Sequence, residues 1–363
     1  MTELTVTKRQ RTVGNFFASS FRNYSAVWLM IAFAVTFTYT APETFPTALT
    51  LKLVLTDQVS IGLLALAFLV PLCANTFDLS VAAMLAFSMV TTATLVVNGH
   101  SVVVAGAIAL GSCALFGALN GLLVVRFNIN SFIATLGSSQ LLVALSLLVS
   151  QNAQVLPTLP EWFVTLSQGT FLGVNHDVYY LALVAIAVWF FLEHTPTGRK
   201  LFAVGGNLEA ARIAGVPTSR LIFGSMVISS LIAGIAGILL ISKYGLYTQE
   251  FGPGYLFPAI AAVFFGATQI KGRPNVWGTL LAMYALAFGV AGLQLTFFGN
   301  EYWITPFFNG AALLIAVGLA SRKHLGREYK RMRKGTHSDS VRDQTGGELG
   351  AGSATLIPPS QGG

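Results

Sequence analysis

A short polar segment, AVGGNLEAARIAG at residues 203–215, interrupts a chain that is otherwise mostly apolar. Asn207 is a good helix N-cap, and Glu209 lies near the helix start, where the helix dipole favours an acid. Glu209 and Arg212 are spaced so that they can pair on one helix face. Gly215 favours a helix end. The pattern predicts a helix of about two turns, which suits docking rather than bond-making chemistry.

A helix of that length is marginal in water unless it packs against something. Leu208, Ala211 and Ile213 give it a small apolar surface. This surface packs either on the chain's own membrane domain or on a separate protein. The spacing and the caps alone leave both interpretations open.

Asp78 is the only acid well inside the apolar blocks of the sequence. A carboxylate at that depth is costly unless water or hydrogen bonds stabilise it. In one interpretation Asp78 lies at a broken helix beside a solute pathway. In the other, which is favoured, it caps a helix that begins at Leu79, with Ser80 nearby.

Other polar and aromatic residues inside apolar segments are candidates for lining a pathway. Amide side chains can bond solute hydroxyls, although bonds between neighbouring helices are their commoner use in membranes. Aromatic rings can stack on a sugar face, although most of the 27 Phe residues must face lipid or the core. Besides Asp78, the pathway candidates are Asn75, Asn120, Phe132, Gln140, Phe265 and Gln294, and Phe264 and Asn309 are further ones.

Several kinds of chemistry have no motif in this sequence. It lacks a G-x-x-x-x-G-K-[ST] phosphate loop, so the chain does not hydrolyse ATP by that route, and it lacks a G-x-S-x-G nucleophile motif. Its five His residues lie far apart, and Cys73 and Cys113 are isolated, so we expect no metal site and no cofactor. The scarcity of charges inside the apolar blocks disfavours coupling to an ion gradient. We therefore expect a transport subunit rather than an enzyme.

Membrane-spanning helices must position these residues. The chain of 363 residues is 54% hydrophobic and 10% charged, whereas soluble domains have about 25% charged residues. A spanning helix needs roughly 17 to 25 apolar residues, and Pro71 with the polar patch 75–78 splits one longer block. The prediction is an all-α polytopic membrane protein with about ten transmembrane helices, some of them broken. The segments are about 24–41, 57–76, 79–97, 101–125, 131–150, 177–193, 220–242, 255–270, 275–298 and 302–320.

The Lys and Arg residues determine the predicted orientation. With both termini in the cytoplasm, every basic residue except Lys52 and Lys243 falls inside. The basic residues lie in tails and short loops rather than on a soluble face, which argues against nucleic acid binding. The predicted regions are an N-terminal tail at 1–23, a transmembrane domain at 24–320 with a cytoplasmic loop at 194–219, and a basic tail at 321–363 whose composition predicts disorder.

Four stretches, in order along the chain, resemble one known family. They are FDLSVAAMLAFS at 77–88, GALNGLLVVRFNINSFIATLGS at 117–138, GRKLFAVGGNLEAARIAGVPTSRL at 198–221 and IAAVFFGATQIKGRPNVWGTLL at 260–281. Together they resemble bacterial ABC-importer permeases of the ribose/xylose/arabinose type, from about residue 57 to residue 320.

The chain departs from the family pattern at several positions. Leu208 stands where the family usually has Pro, and Ala82 replaces a Gly. Ala267, Arg273 and Pro274 interrupt a stretch that is usually rich in glycine. These departures lie near presumed pathway and hinge segments, so they affect the expected substrate more than the expected fold.

The resemblance implies a role for the polar helix. In this family the matching segment is a coupling helix that docks on the ATP-binding subunit, and the domain at 24–320 is the permease domain. The residues here that match the coupling segment are Gly205, Gly206, Asn207, Leu208, Glu209, Ala210, Ala211, Arg212 and Gly215.

The resemblance also implies an import complex in the bacterial inner membrane. Its expected partners are cytoplasmic ABC ATPase subunits, a periplasmic solute-binding protein, a second copy of this permease or a related one, and membrane lipid. The expected solute is a monosaccharide or a similar small polar molecule, while branched-chain amino acids, nucleosides and polyols remain open. The alternative from another class is an ion-coupled secondary transporter.

Overall fold

A computed structural model of the protein describes residues 25–269, 272–296, 303–315 and 318. The predicted tails, 1–23 and 321–363, lie outside the described residues. The regular secondary structure of the described part is helical apart from one short antiparallel hairpin and the isolated β-bridge between Val155 and Tyr247, which confirms the predicted all-α class. The helices are α1 (Ser25–Thr40), α2 (Ala48–Asp57), α3 (Val59–Leu72), α4 (Val81–Val97), α5 (Val102–Val125), α6 (Ser131–Ser150), α7 (Glu161–Gln168), α8 (His176–His194), α9 (Pro196–Gly206), α10 (Leu208–Ile213), α11 (Thr218–Tyr244), α12 (Pro253–Ala267), α13 (Val276–Thr296) and α14 (Ile304–Ile315), and the strands are β1 (Thr170–Phe171) and β2 (Val174–Asn175).

Apolar helices coincide with all of the predicted segments. Among the described residues, 6 helical stretches are long and apolar enough to cross a membrane, and one of these consists of α2 and α3 together. Four shorter apolar helices, α1, α4, α12 and α14, account for the other segments. These helices confirm a polytopic helical membrane protein, whereas the number of crossings stays a prediction.

The predicted boundaries of the second segment, 57–76, are wrong. The chain becomes helical at Ala48, because the Thr47 hydroxyl caps the helix by accepting a hydrogen bond from the Thr50 amide at 3.1 Å. The helical stretch ends at Leu72. The predicted break in this apolar block therefore lies between α3 and α4.

The core is centred on α11, which packs against α3, α4 and α5. Small residues let these helices approach closely. A Cβ atom on Gly121 would lie 2.8 Å from the Phe223 side chain, and one on Gly117 would collide with the Ser230 hydroxyl. Close approach is the usual role of a small-x-x-x-small pair in membrane helices.

Contacts between loops divide the helix ends into two groups. Lys243, near the end of α11, pairs with Asp57 at the end of α2 at 2.9 Å; we call this side the outer end. Arg273, in the α12–α13 loop, pairs with Glu193 near the end of α8 at 2.7 Å; we call this side the inner end. The predicted orientation assigns the inner end to the cytoplasm.

Candidate functional site

The polar segment forms the predicted helix. The helix α10 (Leu208–Ile213) follows Asn207, whose Oδ1 accepts a hydrogen bond from the Ala210 amide at 2.9 Å. Gly215 has φ +76°, and its amide donates to the Arg212 carbonyl at 3.0 Å. Glycine adopts this left-handed conformation without a steric penalty. The cap and the stop predicted for this helix are both confirmed.

Most of the surface of α10 is not covered by its own chain. Ala211 is buried, whereas Leu208 is 46% exposed and Ile213 is 85% exposed. Glu209 and Arg212 are also exposed, and the ion pair that their spacing allows is not among the ion pairs of the described residues. The helix therefore presents two large apolar side chains and two charges to the outside.

The segment before α10 packs onto the transmembrane helices. Leu201 of α9 is buried, and Gly205 lies against the turn that follows α3. A Cβ atom on Gly205 would collide with the Cys73 carbonyl oxygen and would lie 3.2 Å from the Asn75 amide nitrogen. Asn75, predicted as a pathway residue, is thus a neighbour of the predicted coupling loop (residues 194–219) at the inner end.

Asp78 belongs to a buried polar network between α3 and α4. Its Oδ1 accepts hydrogen bonds from the Ser80 amide at 3.1 Å and from the Ser80 hydroxyl at 2.6 Å. The Asn120 amide group donates to the same hydroxyl at 3.0 Å and accepts from the Ser138 hydroxyl. Asp78, Ser80 and Asn120 are fully buried. Asn120 therefore connects α5 to α6 and to the turn before α4.

The prediction that Asp78 caps a helix beginning at Leu79 is wrong. The helix α4 begins at Val81, and the Leu79 amide donates to the Thr135 hydroxyl of α6 at 3.1 Å. Asp78 instead organises the turn before this helix. Among the described residues, its Oδ2 finds no hydrogen-bond partner, and the Ser229 hydroxyl that faces it makes no hydrogen bond of normal geometry either.

The remaining pathway candidates lie apart from one another. Phe132, 49% exposed, and Gln140 are on the outside of α6. Phe265 is half-buried and packs on an alanine cluster between α1 and α13. The Gln294 amide group donates to the Thr305 hydroxyl at 3.1 Å, which joins α13 to α14. The structure does not bring these candidates together at one site.

A cavity of about 350 Å³ lies between α3, α12, α13 and α14 at the outer end. Ile61, Phe251 and Met283 are among its apolar lining residues. A mostly apolar wall with a few polar groups from different elements is typical of small-molecule sites. The polar side chains of the lining are Gln58, Thr248, Glu250, Tyr255, Thr305 and Asn309.

Sequence reasoning named Asn309 but missed the other polar lining residues. Gln58 lies at the junction of α2 and α3, Glu250 in a loop, and Tyr255 in the first turn of α12. No local pattern reveals that these separate segments converge. The one available signal is their position, because each is a polar residue near the outer end of an apolar segment.

Comparison with known proteins determines the family. A family model described as branched-chain amino acid transport system / permease component matches residues 50–317. The chain belongs to this permease family. The match includes the coupling loop, the Asp78 network and the cavity, so all three are parts of the permease domain.

The permease is similar to transport subunits from several bacteria. It is 32% identical to the L-arabinose ABC transporter permease protein AraH of Azospirillum brasilense, over 80% of this chain and 85% of that protein. It is 30% identical to the ribose import permease protein RbsC of Escherichia coli strain K12, over 74% and 84%. It is 27% identical to the autoinducer 2 import system permease protein LsrD of Photorhabdus temperata, over 77% and 86%. The predicted resemblance is confirmed.

No solved structure matches the permease. Its family and its apolar helices make it a multi-pass protein of the inner membrane. Its relatives are permease subunits of transport systems, so the predicted transport role is confirmed at that level.

Proposed function

We propose that the permease is the membrane subunit of an ABC importer for a monosaccharide or a similarly small hydroxylated solute. A separate ATPase subunit supplies the energy. The names of three similar proteins, which refer to L-arabinose, ribose and autoinducer 2, support the transport of a small polar solute. The observation that carries the proposal is the exposed, capped helix α10.

The exposed face of α10 has the properties of a docking surface. Leu208 and Ile213 are large apolar side chains held outward by a helix that is fixed at both ends. Covering them by a partner protein removes apolar surface from water, which is the main favourable term in most protein association. Glu209 and Arg212 flank this surface and can select a partner by complementary charge.

The cavity at the outer end suits a hydroxylated solute, since amide and hydroxyl groups outnumber the one acidic lining residue, Glu250. Gln58, Thr305 and Asn309 carry amide and hydroxyl groups that both donate and accept hydrogen bonds, as the hydroxyl groups of a sugar do. The rings of Phe251 and Tyr255 supply flat apolar surface on the same wall. We propose that this cavity, rather than the dispersed candidates from the sequence, receives the solute.

The proposed complex contains three further partners. A solute-binding protein delivers the solute to the outer end, ATPase subunits bind the coupling loop at the inner end, and a second permease, either a copy or a relative, completes the membrane part. ATP is used by the partner subunit, and the permease itself needs no cofactor.

The substitution Ile213→Glu tests the docking surface. A carboxylate placed in the covered apolar face should weaken co-purification of the permease with its ATPase by at least about tenfold. The matched control is Leu172→Glu, because Leu172 is 84% exposed in the hairpin between β1 and β2, away from the coupling loop. This control should bind the ATPase as the unmodified permease does.

Two results would contradict the proposal. Equal ATPase binding by the Ile213→Glu variant and the unmodified permease would remove α10 from the docking site. Solute uptake by the permease alone in vesicles, driven by a cation gradient and insensitive to vanadate, would assign the protein to the ion-coupled secondary transporters.

A further inference from the structure

One side chain of the α12–α13 loop reaches two segments at the inner end. The Arg273 Nη2 donates to both carboxylate oxygens of Glu193 at 2.7 Å each. The same guanidinium group lies 4.1 Å from the centre of the Phe202 ring, within the range of a cation–π contact. Glu193 is near the end of α8, and Phe202 belongs to α9 in the coupling loop.

This contact is better protected from water than an ordinary surface ion pair. The side chains of Arg273 and Glu193 are 36% and 17% exposed, respectively. Exposed ion pairs contribute little because water and salt screen them, whereas partly covered and well-aligned pairs are screened less. The charge pair and the Phe202 ring therefore hold the guanidinium group from two directions.

Hydrogen bonds of the Asn275 side chain also connect the backbone of Arg273 to the helix before it, α12, and to the helix after it, α13. The Asn275 amide group donates to the Arg273 carbonyl at 2.9 Å and to the Gly266 carbonyl at 3.3 Å. The Asn275 Oδ1 accepts from the Gly278 amide at 2.7 Å. Asn275 therefore links the Arg273 backbone to the end of α12 and to the start of α13.

These two helices lead from the inner end to the cavity. Tyr255 and Pro258 of α12 and Met283 and Leu286 of α13 line the cavity at the outer end. The 21 residues of α13 correspond to about 30 Å of helix, enough to cross the apolar layer of a membrane. The helix pair therefore runs from the loop that contacts Phe202 to the cavity.

We propose that Arg273 is a positioning residue that couples movement of the coupling loop to the cavity-lining helices α12 and α13. This inference depends on the proposed function, since it requires an ATPase that moves the coupling loop. Arg273 is one of the departures from the glycine-rich family pattern. In the structure its side chain contacts Glu193 and Phe202. A glycine at this position would leave α12 and α13 without the side-chain link to Phe202 and Glu193.

The test measures coupling rather than activity alone. The full complex of permease, ATPase and solute-binding protein is reconstituted in liposomes, and the number of ATP molecules hydrolysed per solute molecule imported is determined. In the Arg273→Gln variant this ratio should rise about tenfold, which corresponds to the loss of one such contact. ATPase binding and basal ATP hydrolysis should stay within about twofold of the unmodified complex.

Three further variants make the test specific. Glu193→Gln should raise the ratio as Arg273→Gln does, and the exchange Arg273→Glu with Glu193→Arg should restore part of the coupling. The control is Lys243→Gln, which breaks the 2.9 Å pair with Asp57 at the outer end. This control should leave the ratio unchanged, because Lys243 contacts neither the coupling loop nor the α12–α13 loop in the described part of the chain.

The outcomes separate this inference from the proposed function. If uptake and ATP hydrolysis fall together in the Arg273 variant, the pair only stabilises the fold and the inference is wrong. An unchanged ratio, or an equal effect of Lys243→Gln, also contradicts it. If the unmodified permease binds no ATPase at all, the proposed function itself fails. A loss of folding in Arg273→Gln that the charge exchange does not reverse counts against a coupling role.

Discussion

The Asp78 carboxyl group is fully buried and is fixed through one of its two oxygens. One oxygen accepts two hydrogen bonds from Ser80, while the other faces the Ser229 hydroxyl without a hydrogen bond of normal geometry. A buried carboxyl group with an oxygen that lacks a well-formed hydrogen bond is costly in free energy. The bonded oxygen holds the turn before α4 through the Ser80 amide and hydroxyl.

Substitutions of Asp78 separate the hydrogen bonds from the charge. Asp78→Asn keeps an oxygen that can accept from Ser80 and adds a donor toward Ser229, so the free energy of unfolding should stay equal or rise. Asp78→Ala should lower it by about 1–3 kcal/mol, because the Ser80 amide and hydroxyl lose their acceptor. Thermal unfolding of both variants in detergent measures the difference. The reverse order would show that the charge itself is stabilising.

The sequence singled out Asp78, Ser80 and Asn120 but did not predict that they share one hydrogen-bond network. Apolar surroundings made the carboxylate conspicuous, whereas Ser80 is linked to Asn120 across 40 positions of the chain. Helical spacing determines which residues share one face, and it does not determine which faces meet. The same reason explains why Gln140, a polar residue in an apolar helix, lies outside the cavity.

At the scale of the helices, the end of α9 contains two adjacent glycines, Gly205 and Gly206, which differ in how closely they are packed. Gly205 lies so close to the turn after α3 that a Cβ atom would collide with the Cys73 carbonyl. Gly206 has nothing within 4 Å of such an atom in the described structure. The coupling loop therefore rests on α3 at one position and is free at the next.

Alanine at these positions should give different results. Gly205→Ala should lower the free energy of unfolding by about 1–3 kcal/mol, because the backbone of α9 must move away from the Cys73 turn. It should also reduce uptake in reconstituted vesicles. Gly206→Ala should resemble the unmodified permease in both measurements. Equal behaviour of the two variants would mean that the contact with Cys73 is dispensable.

A helix was predicted correctly where the residues that specify its ends lie within the segment itself. The α10 helix was predicted correctly, since Asn207 and Gly215 specify its ends within the segment itself. The start of α2 was missed because Lys52 and Asp57 place charges in the apolar stretch that follows Thr47, and charged residues are atypical of a spanning segment. The cavity was missed altogether, because it forms only where α3, α12, α13 and α14 meet.

For the molecule as a whole, the coupling loop and the cavity are at opposite ends. Glu193 and Arg273 mark the inner end, and Gln58 lines the cavity beside the outer pair of Asp57 with Lys243. Any action of a bound ATPase on a solute must therefore be transmitted through the helices. A variant at one end should consequently have a different phenotype from a variant at the other.

Asn309→Leu is the test at the cavity. Replacing a polar lining group by an apolar one removes a hydrogen bond to the solute, so uptake should fall by about tenfold while ATPase binding stays unchanged. The matched control is Gln140→Leu, on the outside of α6, which should transport normally. Uptake assays in vesicles and co-purification with the ATPase give the two measurements. A loss of uptake in Gln140→Leu alone would move the solute path to α6.

The two cysteines of the chain, Cys73 and Cys113, are both buried. Thiol-reactive dyes therefore meet little native background on the folded protein. A single Ser219→Cys exchange, which alters one atom at an exposed position after α10, would place a fluorophore next to the coupling helix without first removing either native thiol. A change in emission on addition of the proposed ATPase partner would report docking at this helix in real time.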